Sequence, residues 1–460
     1  FRRELFRSIM SNERNGFSSR LGFVLATAGS AVGLGNIWRF PYLAAKYGGG
    51  TFLLTYLILT LTFGFSLMIT EVALGRRAGT SAIRAFGHFN KKYTFIGYLT
   101  TLIPFIIFPY YCVIGGWVTK YALVSIQGGI HDAASDTFFT GFISKSAEPM
   151  IYVLVFLIVT TLVVAGGVKG GIERVSTIMM PVLIVLLIGV SVFCITRPGA
   201  MAGVAYYIKP NLKDFSPTTI LAALGQLFYS MSLAMGIMVT FGSYMPKKSN
   251  LEKSVTQVEI FDTGVAFLAG LMIVPAVFIF SNGDSSMLAK GPSLMFVMLP
   301  KVFNSMAFSS IIAAVFFILV LLAALTSSIS LLETLVAVLM DKFHMKRGTA
   351  CITMFIVALL LAVPSSLGFG AWSNITILGF DFLDFFDFIS NSVLMPIAAF
   401  LTCIFVGYII KPKEIIDEVE SSGEFKRKPL FLVMVKYIAP ICIVAILVFS
   451  VLEGLGFITV

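Results

Sequence analysis

The 460-residue chain is short of charge: Asp, Glu, Lys and Arg make up 12% of it, against 58% hydrophobic residues, and mean hydropathy is +0.95. A soluble domain this apolar cannot cover itself with polar surface, so the chain reads as embedded in lipid. Histidine is nearly missing, with three residues, and cysteine is scarce, with five. Cys112, Cys194, Cys351, Cys403 and Cys442 stand singly in apolar stretches with no CxxC. That excludes metal-cluster chemistry and leaves the cysteines as small buried hydrophobes without disulfides. No His/Asp cluster or nucleophile–base pair is legible, which argues against an enzyme. Polar stretches are short as well, the longest being 1–17, 128–148, 197–217, 282–307 and 411–430, so no soluble domain is expected. No cleavable leader is expected either, because the first apolar run is too long for an h-region and lacks an A-x-A site.

What is abundant is membrane-length hydrophobic sequence. Eleven runs reach the roughly 20 residues needed to cross a bilayer: 18–45, 50–75, 93–127, 149–166, 174–196, 218–246, 252–281, 308–342, 348–364, 381–410 and 431–457. The net charge of +10 could suggest nucleic acid, but its distribution argues otherwise. With the N-terminus inside, the basic residues collect in cytoplasmic segments, among them Arg2, Arg3, Arg7, Arg76, Arg77, Lys91, Lys92, Lys247, Lys248 and Lys426–Arg427–Lys428. The positive-inside rule accounts for this balance and sets a cytoplasmic N-terminus. The stretch Gly283 to Asn304 is semi-apolar and too short to span, and reads as a re-entrant extracellular hairpin.

Two spans are not ordinary helices. The first carries Gly29-Ser30-Ala31-Val32-Gly33-Leu34-Gly35-Asn36 at mid-membrane, and the sixth carries Tyr229-Ser230-Met231-Ser232-Leu233-Ala234-Met235-Gly236 at similar depth. Each glycine costs about 1 kcal/mol of helix propensity against alanine. Unwound backbone is tolerated in hydrocarbon only where protein buries it or it lines a cavity. Spans 1 and 6 hold equivalent places in two five-helix halves, 18–196 and 218–410, with 1–17 as a cytoplasmic N-terminal segment and 431–457 as an extra helix. Five is odd, so the second half enters from the opposite side as an inverted repeat. Paired broken helices in such a repeat point to a secondary-transporter binding site. The plainer reading, that Gly29 and Gly33 merely allow close helix packing, is weakened by the matching interruption in span 6.

The residues at these breaks carry a resemblance. RLGFVLATAGSAVGLGNIWRFPYLAAKYGGG (20–50), ITEVALGRR (69–77), PYYCVIGGW (109–117), GGIERVSTIMMP (170–181), GQLFYSMSLAMG (225–236) and AALTSSIS (323–330) are similar to the neurotransmitter:sodium symporter family, solute carrier family 6. The resemblance covers the first ten spans, and ending after eleven resembles the bacterial branch, whose members mostly move amino acids. It implies an all-α leucine-transporter fold of eleven helices, working by alternating access, with spans 1, 3, 6 and 8 around a central site.

Sodium is a hard cation that takes oxygen ligands. Ala323, Thr326 and Ser327 share one helix face by their i, i+3, i+4 spacing, and by resemblance they form the second sodium site with the carbonyls of Gly29 and Val32. Alone, Thr326 and Ser327 would read as hydroxyls back-bonding within their helix. The first sodium site carries over to Ala31, Asn36, Ser230 and Asp262. Asp262 departs from the commoner asparagine, and an intramembrane carboxylate is expected beside a cation. Chloride-dependent relatives hold the anion with residues matching Tyr56, Gln226 and Ser230, but the remaining position here is Ala266. Asp262, one turn away, would supply that charge covalently, so no chloride requirement is expected. After sodium leaves, Asp262 is expected to carry a proton on the return step.

The substrate carboxylate is expected at the amides of Leu34 and Gly35 and the Tyr111 hydroxyl, since unpaired amides and helix ends attract anions. The amine would meet carbonyls of Ala31 and Tyr229 and the hydroxyls of Ser230 and Ser327. Gly33 stands where monoamine-transporting relatives carry Asp, which favours an α-amino acid. The side-chain pocket would be Ser30, Ile107, Tyr111, Ser232, Met235 and Leu331, uncharged and suited to a hydrophobic or aromatic amino acid. Tyr111 and Tyr229 would close it from above. The outer gate would pair Arg39 with Asp384, or with Asp387 if the register slips. The inner gate would use Arg14 and Asp341 with Ser243 and Tyr244. Each charged pair also reads as an ordinary surface ion pair. Glu71 is assigned to span packing and Glu333 to a helix contact. A channel would line a continuous path, whereas the polar groups here concentrate at one depth. A proton-coupled amino-acid transporter of the same fold is the nearer rival. The substrate and the bilayer are the expected partners, and the sequence leaves oligomeric state open.

Overall fold

In the computed structural model the described residues are 16–211, 213, 215–281 and 292–457, and their regular structure is helical apart from one bridge between Ile377 and Phe380. Among them, nine helices are long and apolar enough to cross a membrane. Two consecutive helices, α1 (Arg20–Ala31) and α2 (Gly35–Lys46), meet this standard only together, bent by 56° at their junction. The nine are α3 (Gly50–Ala78), α4 (Lys91–Ile126), α5 (Ala147–Ala165), α6 (Val168–Ile195), α9 (Leu251–Phe280), α11 (Ser309–Phe343), α12 (Arg347–Leu367), α13 (Phe382–Ile409) and α15 (Lys428–Gly454). Their outward faces keep residues such as Ile58, Leu162, Ile260 and Leu360 exposed, as suits a surface solvated by lipid.

The sixth expected span is no continuous helix. It is built of α7 (Pro217–Ser230), 14 residues, and α8 (Ile237–Tyr244), 8 residues. Neither half reaches across a bilayer by itself. Shorter helices lie in the connections, among them α10 (Leu294–Asn304) between α9 and α11, and α14 (Lys413–Glu420) between α13 and α15. The first half of the expected hairpin, from Gly283, falls outside the described residues. The rest is α10, whose Phe296 is fully buried against Trp38, Trp117, Tyr121 and Phe139.

Local chemistry fixes where the broken helices start. Ser19 caps α1 by accepting from the Gly22 amide at 2.9 Å, and Ser216 caps α7 by accepting from Thr219 at 3.2 Å, each satisfying an orphan donor of the first turn. Glu173 of α6 accepts from the Ser18 amide (2.8 Å) and hydroxyl (2.7 Å), which ties the start of α1 to the bundle. Long helices α4 and α11 pack along each other, α8 against α3, and α6 against α9, leaving the two breaks facing each other in the interior.

Candidate functional site

At the first break Val32 turns extended (φ −73°, ψ 99°), and Val32 and Gly33 leave the helix. The freed Gly33 amide donates to the Asn36 side-chain oxygen at 3.1 Å, so Asn36 repairs part of the broken ladder. The second break, 231–236, is more strained: Ser232 (φ 52°) and Ala234 (φ 63°) sit in the left-handed region without being glycine. Such residues cost about 1–2 kcal/mol each and persist only where surroundings enforce them. One enforcer is Glu71, buried, whose carboxylate accepts from the Ala234 amide at 2.7 Å. Sequence reasoning assigned Glu71 to packing. Its partner is a backbone amide 163 positions away, invisible to spacing.

The two breaks enclose a cavity of about 40 Å³, roughly three times the space one water needs. Ser30, Ala31, Leu34, Gly35, Ile107, Tyr111, Tyr229, Ser230, Ser232, Met235, Ser327 and Leu331 all line it. Gly33, Asn36 and Ile237 line it too; of these only Ile237 stands outside the sequence argument. Among the described residues, no charged side chain faces the cavity. The Tyr111 hydroxyl is buried there beside Leu34 and Ser327, with no hydrogen-bond partner of good geometry among the described residues. A Cβ at Gly33 would come within 2.7 Å of the Ser327 hydroxyl, and one at Gly35 within 2.5 Å of the Tyr229 ring, so both glycines are required by close approach.

Oxygen atoms cluster on either side of this cavity. The Ser327 hydroxyl stands 3.5 Å from the Gly29 carbonyl, 3.1 Å from that of Ser30 and 3.3 Å from that of Val32. Thr326, one residue earlier, donates to the carbonyls of Leu322 (3.1 Å) and Ala323 (3.0 Å). On the other side the Asp262 carboxylate, fully buried, accepts from Asn36 (2.8 Å), Ser230 (2.9 Å) and Tyr56 (3.4 Å). Gln226 donates to the Gly35 carbonyl at 3.0 Å. Ala266 is buried one turn beyond Asp262. The arrangement brings a carboxylate, hydroxyls and freed carbonyls within reach of one buried pocket, a donor set that suits a hard monovalent cation.

Towards the ends of the bundle, Arg39 lies over the Tyr229 ring, 5.4 Å from its centroid, and its charge acts on Asp387. Asp387 accepts from Tyr110 (3.1 Å) and Asn391 (2.6 Å). Asp384 sits in the first turn of α13, its amide capped by Asp381. At the opposite end Asp341 accepts from the Ser81 amide at 2.7 Å, and Ser243 donates to the Thr240 carbonyl at 2.6 Å. Tyr244 donates to Glu333 (2.7 Å), which Arg347 also holds through two bonds of 2.6 and 2.9 Å. Glu333 thus joins α8, α11 and α12. Arg14 lies outside the described residues.

The profile of the Sodium:neurotransmitter symporter family matches residues 14–138 and 137–455. Among curated proteins, an uncharacterized sodium-dependent transporter of Bacillus subtilis, YhdH, is 36% identical over 94% of this chain and 96% of its own length. An uncharacterized sodium-dependent transporter of Haemophilus influenzae is 35% identical over 95% and 98%. Among solved structures, MhsT in complex with L-phenylalanine superposes with a TM-score of 0.85 at 38% identity, covering 95% of this chain and all of that one. The chain belongs to the sodium:neurotransmitter symporter family. It is a multi-pass, sodium-dependent membrane symporter with a fold of the MhsT kind, and not an enzyme.

Proposed function

We propose that this symporter moves a hydrophobic or aromatic α-amino acid by alternating access, together with two sodium ions and without chloride. The observation that carries this reading is the uncharged cavity between the breaks, with the unpartnered Tyr111 hydroxyl buried in its wall. A buried hydroxyl without a partner is costly, and an amino-acid carboxylate placed at the Leu34 and Gly35 amides would accept its hydrogen bond. The amine would meet the Ala31 and Tyr229 carbonyls and the Ser230 and Ser327 hydroxyls. Ser30, Ile107, Tyr111, Ser232, Met235 and Leu331 would hold the side chain. The phenylalanine in the MhsT complex supports a substrate of this size.

One sodium would take Ala31, Asn36, Ser230 and Asp262. The other would take the carbonyls of Gly29, Val32 and Ala323 with Thr326 and Ser327. Two cations in a low-dielectric centre need two negative charges. The substrate supplies one and Asp262 the other, in the space bounded by Tyr56 and Ser230, which leaves chloride no role. When the sodium and substrate leave, Asp262 would return carrying a proton. Counting α1 with α2 and α7 with α8 as single broken spans yields eleven helices. Spans one to five and six to ten would then form an inverted repeat, with the N-terminus on the cytoplasmic side of a bacterial inner membrane. Arg39 with Asp387 would close the outer side; Asp341, Ser243 and Tyr244 would take part in closing the inner. The test is uptake of labelled amino acids into proteoliposomes under a sodium gradient. Equal uptake with only potassium or choline outside would end the proposal.

A further inference from the structure

A second cavity, about 640 Å³, opens at the end of the bundle where α1 and α9 begin. Its wall includes Arg20, Lys253, Lys426 and Arg427 together with Glu252 and Glu424. These charges are not equivalent. Glu252 is buried and spent on the chain, accepting from the amides of Lys426 (2.9 Å) and Arg427 (3.0 Å). Arg427 is also committed: its guanidinium donates to Thr256 (2.5 Å) and to the buried Glu259 (3.2 Å) and lies 3.5 Å over the Phe65 ring. What remains is Arg20, Lys253 and Lys426, which have no acid within 4 Å among the described residues, against the single carboxylate of Glu424. The cavity wall is therefore net positive and built around a fixed arginine.

Exposed apolar side chains stand next to its lining residues in sequence and contact. Arg427 also donates to the Leu61 carbonyl at 3.4 Å, and Leu61 is 44% exposed on the outer face of α3. Leu21, next to Arg20, and Ile260, one position beyond Glu259, are 58% and 63% exposed. A basic pocket between membrane helices, flanked by apolar side chains facing the acyl region, is the chemistry that holds an anionic lipid headgroup.

We propose that this cavity binds the phosphate of an anionic phospholipid from the adjoining leaflet, with Arg20, Lys253 and Lys426 on the phosphate and Leu21, Leu61 and Ile260 along the acyl chains. Soluble phosphate esters share the headgroup chemistry but lack the acyl contacts. The test uses full-length protein exchanged into nanodiscs of phosphatidylglycerol with phosphatidylcholine, followed by native mass spectrometry of retained lipid. The wild type should retain phosphatidylglycerol in preference by about tenfold or more, on the scale of two or three basic residues at a membrane surface. Lys253→Gln with Lys426→Gln should abolish the preference, and Lys253→Arg with Lys426→Arg should keep it. Sodium-dependent substrate binding serves as the folding check for each variant. An unchanged preference in the glutamine variant would overturn the proposal. So would full displacement of the lipid by millimolar glycerol 1-phosphate, which would assign the cavity to a soluble anion.

Discussion

At the scale of single residues, Tyr111 offers the sharpest test. Tyr111→Phe removes only the hydroxyl that lacks a partner in the cavity wall. A hydrogen bond to a charged group is worth about 1.5–3 kcal/mol, so affinity for every amino acid should fall by about tenfold or more in equilibrium binding. Unchanged affinity would remove Tyr111 from the carboxylate site. Met235→Phe adds bulk to a cavity of about 40 Å³ and should weaken aromatic substrates more than valine or leucine. An equal loss for all substrates would place Met235 away from the side-chain pocket. Asp262 decides the charge balance. Wild-type uptake should not change when gluconate replaces chloride. Asp262→Asn should lose activity, and the double variant Asp262→Asn with Ala266→Ser should regain part of it when chloride is present. A fully active, chloride-independent Asp262→Asn protein would show that the charge is balanced elsewhere. These residues were legible because short-range spacing and family motifs mark them. Ile237 was not, since it projects into the cavity only because residues 231–236 leave the helix and reset the phase of α8.

At the scale of elements, the breaks depend on side chains from other helices. Glu71→Leu would leave the buried Ala234 amide without an acceptor, a loss of about 1–3 kcal/mol, whereas Glu71→Gln keeps one carbonyl oxygen. Thermal unfolding in detergent should rank wild type and Glu71→Gln above Glu71→Leu; equal midpoints would show that the break holds itself. Glycine and serine content announced both interruptions in the sequence. The length of the second one, and the positive φ at Ser232 and Ala234, did not follow from composition. They arise from contacts to α3, a helix more than 150 residues earlier in the chain. The same limit applies to Glu333, whose junction with Tyr244 and Arg347 joins three helices that periodicity treats separately. It applies again to Arg76, buried at the end of α3 with Glu418 (2.7 Å) and the Ser249 carbonyl (2.9 Å), a junction with α14.

At the scale of the whole molecule, hydropathy alone was enough to read a membrane bundle, because lipid demands long apolar helices and little else can satisfy the backbone there. It took 218–246 as one span, because an average over 20 residues does not register a six-residue break; the interruption there was marked by Ser230, Ser232 and Gly236 instead. Coupling is also a whole-molecule property. If two sodium ions cross with a zwitterion, each charge gains about 2.3 kcal/mol per 100 mV. Uptake should then rise when a potassium-diffusion potential makes the vesicle interior negative, and an unaffected rate would mean that a counter-moving charge cancels the current. The buried ring of Phe296 has a consequence for observing such motion. Of the three tryptophans, Trp38 and Trp117 lie against it, at 6.4 and 5.9 Å between centroids, one on α2 and one on α4. Trp372 stands apart, partly exposed beside Phe382. Indole emission follows the polarity around the ring, so the molecule contains its own optical reporter of whether α2 and α4 stay sealed together. With Trp372→Phe removing the background, a red shift on withdrawing sodium would record water reaching that seam as it parts, with no label attached.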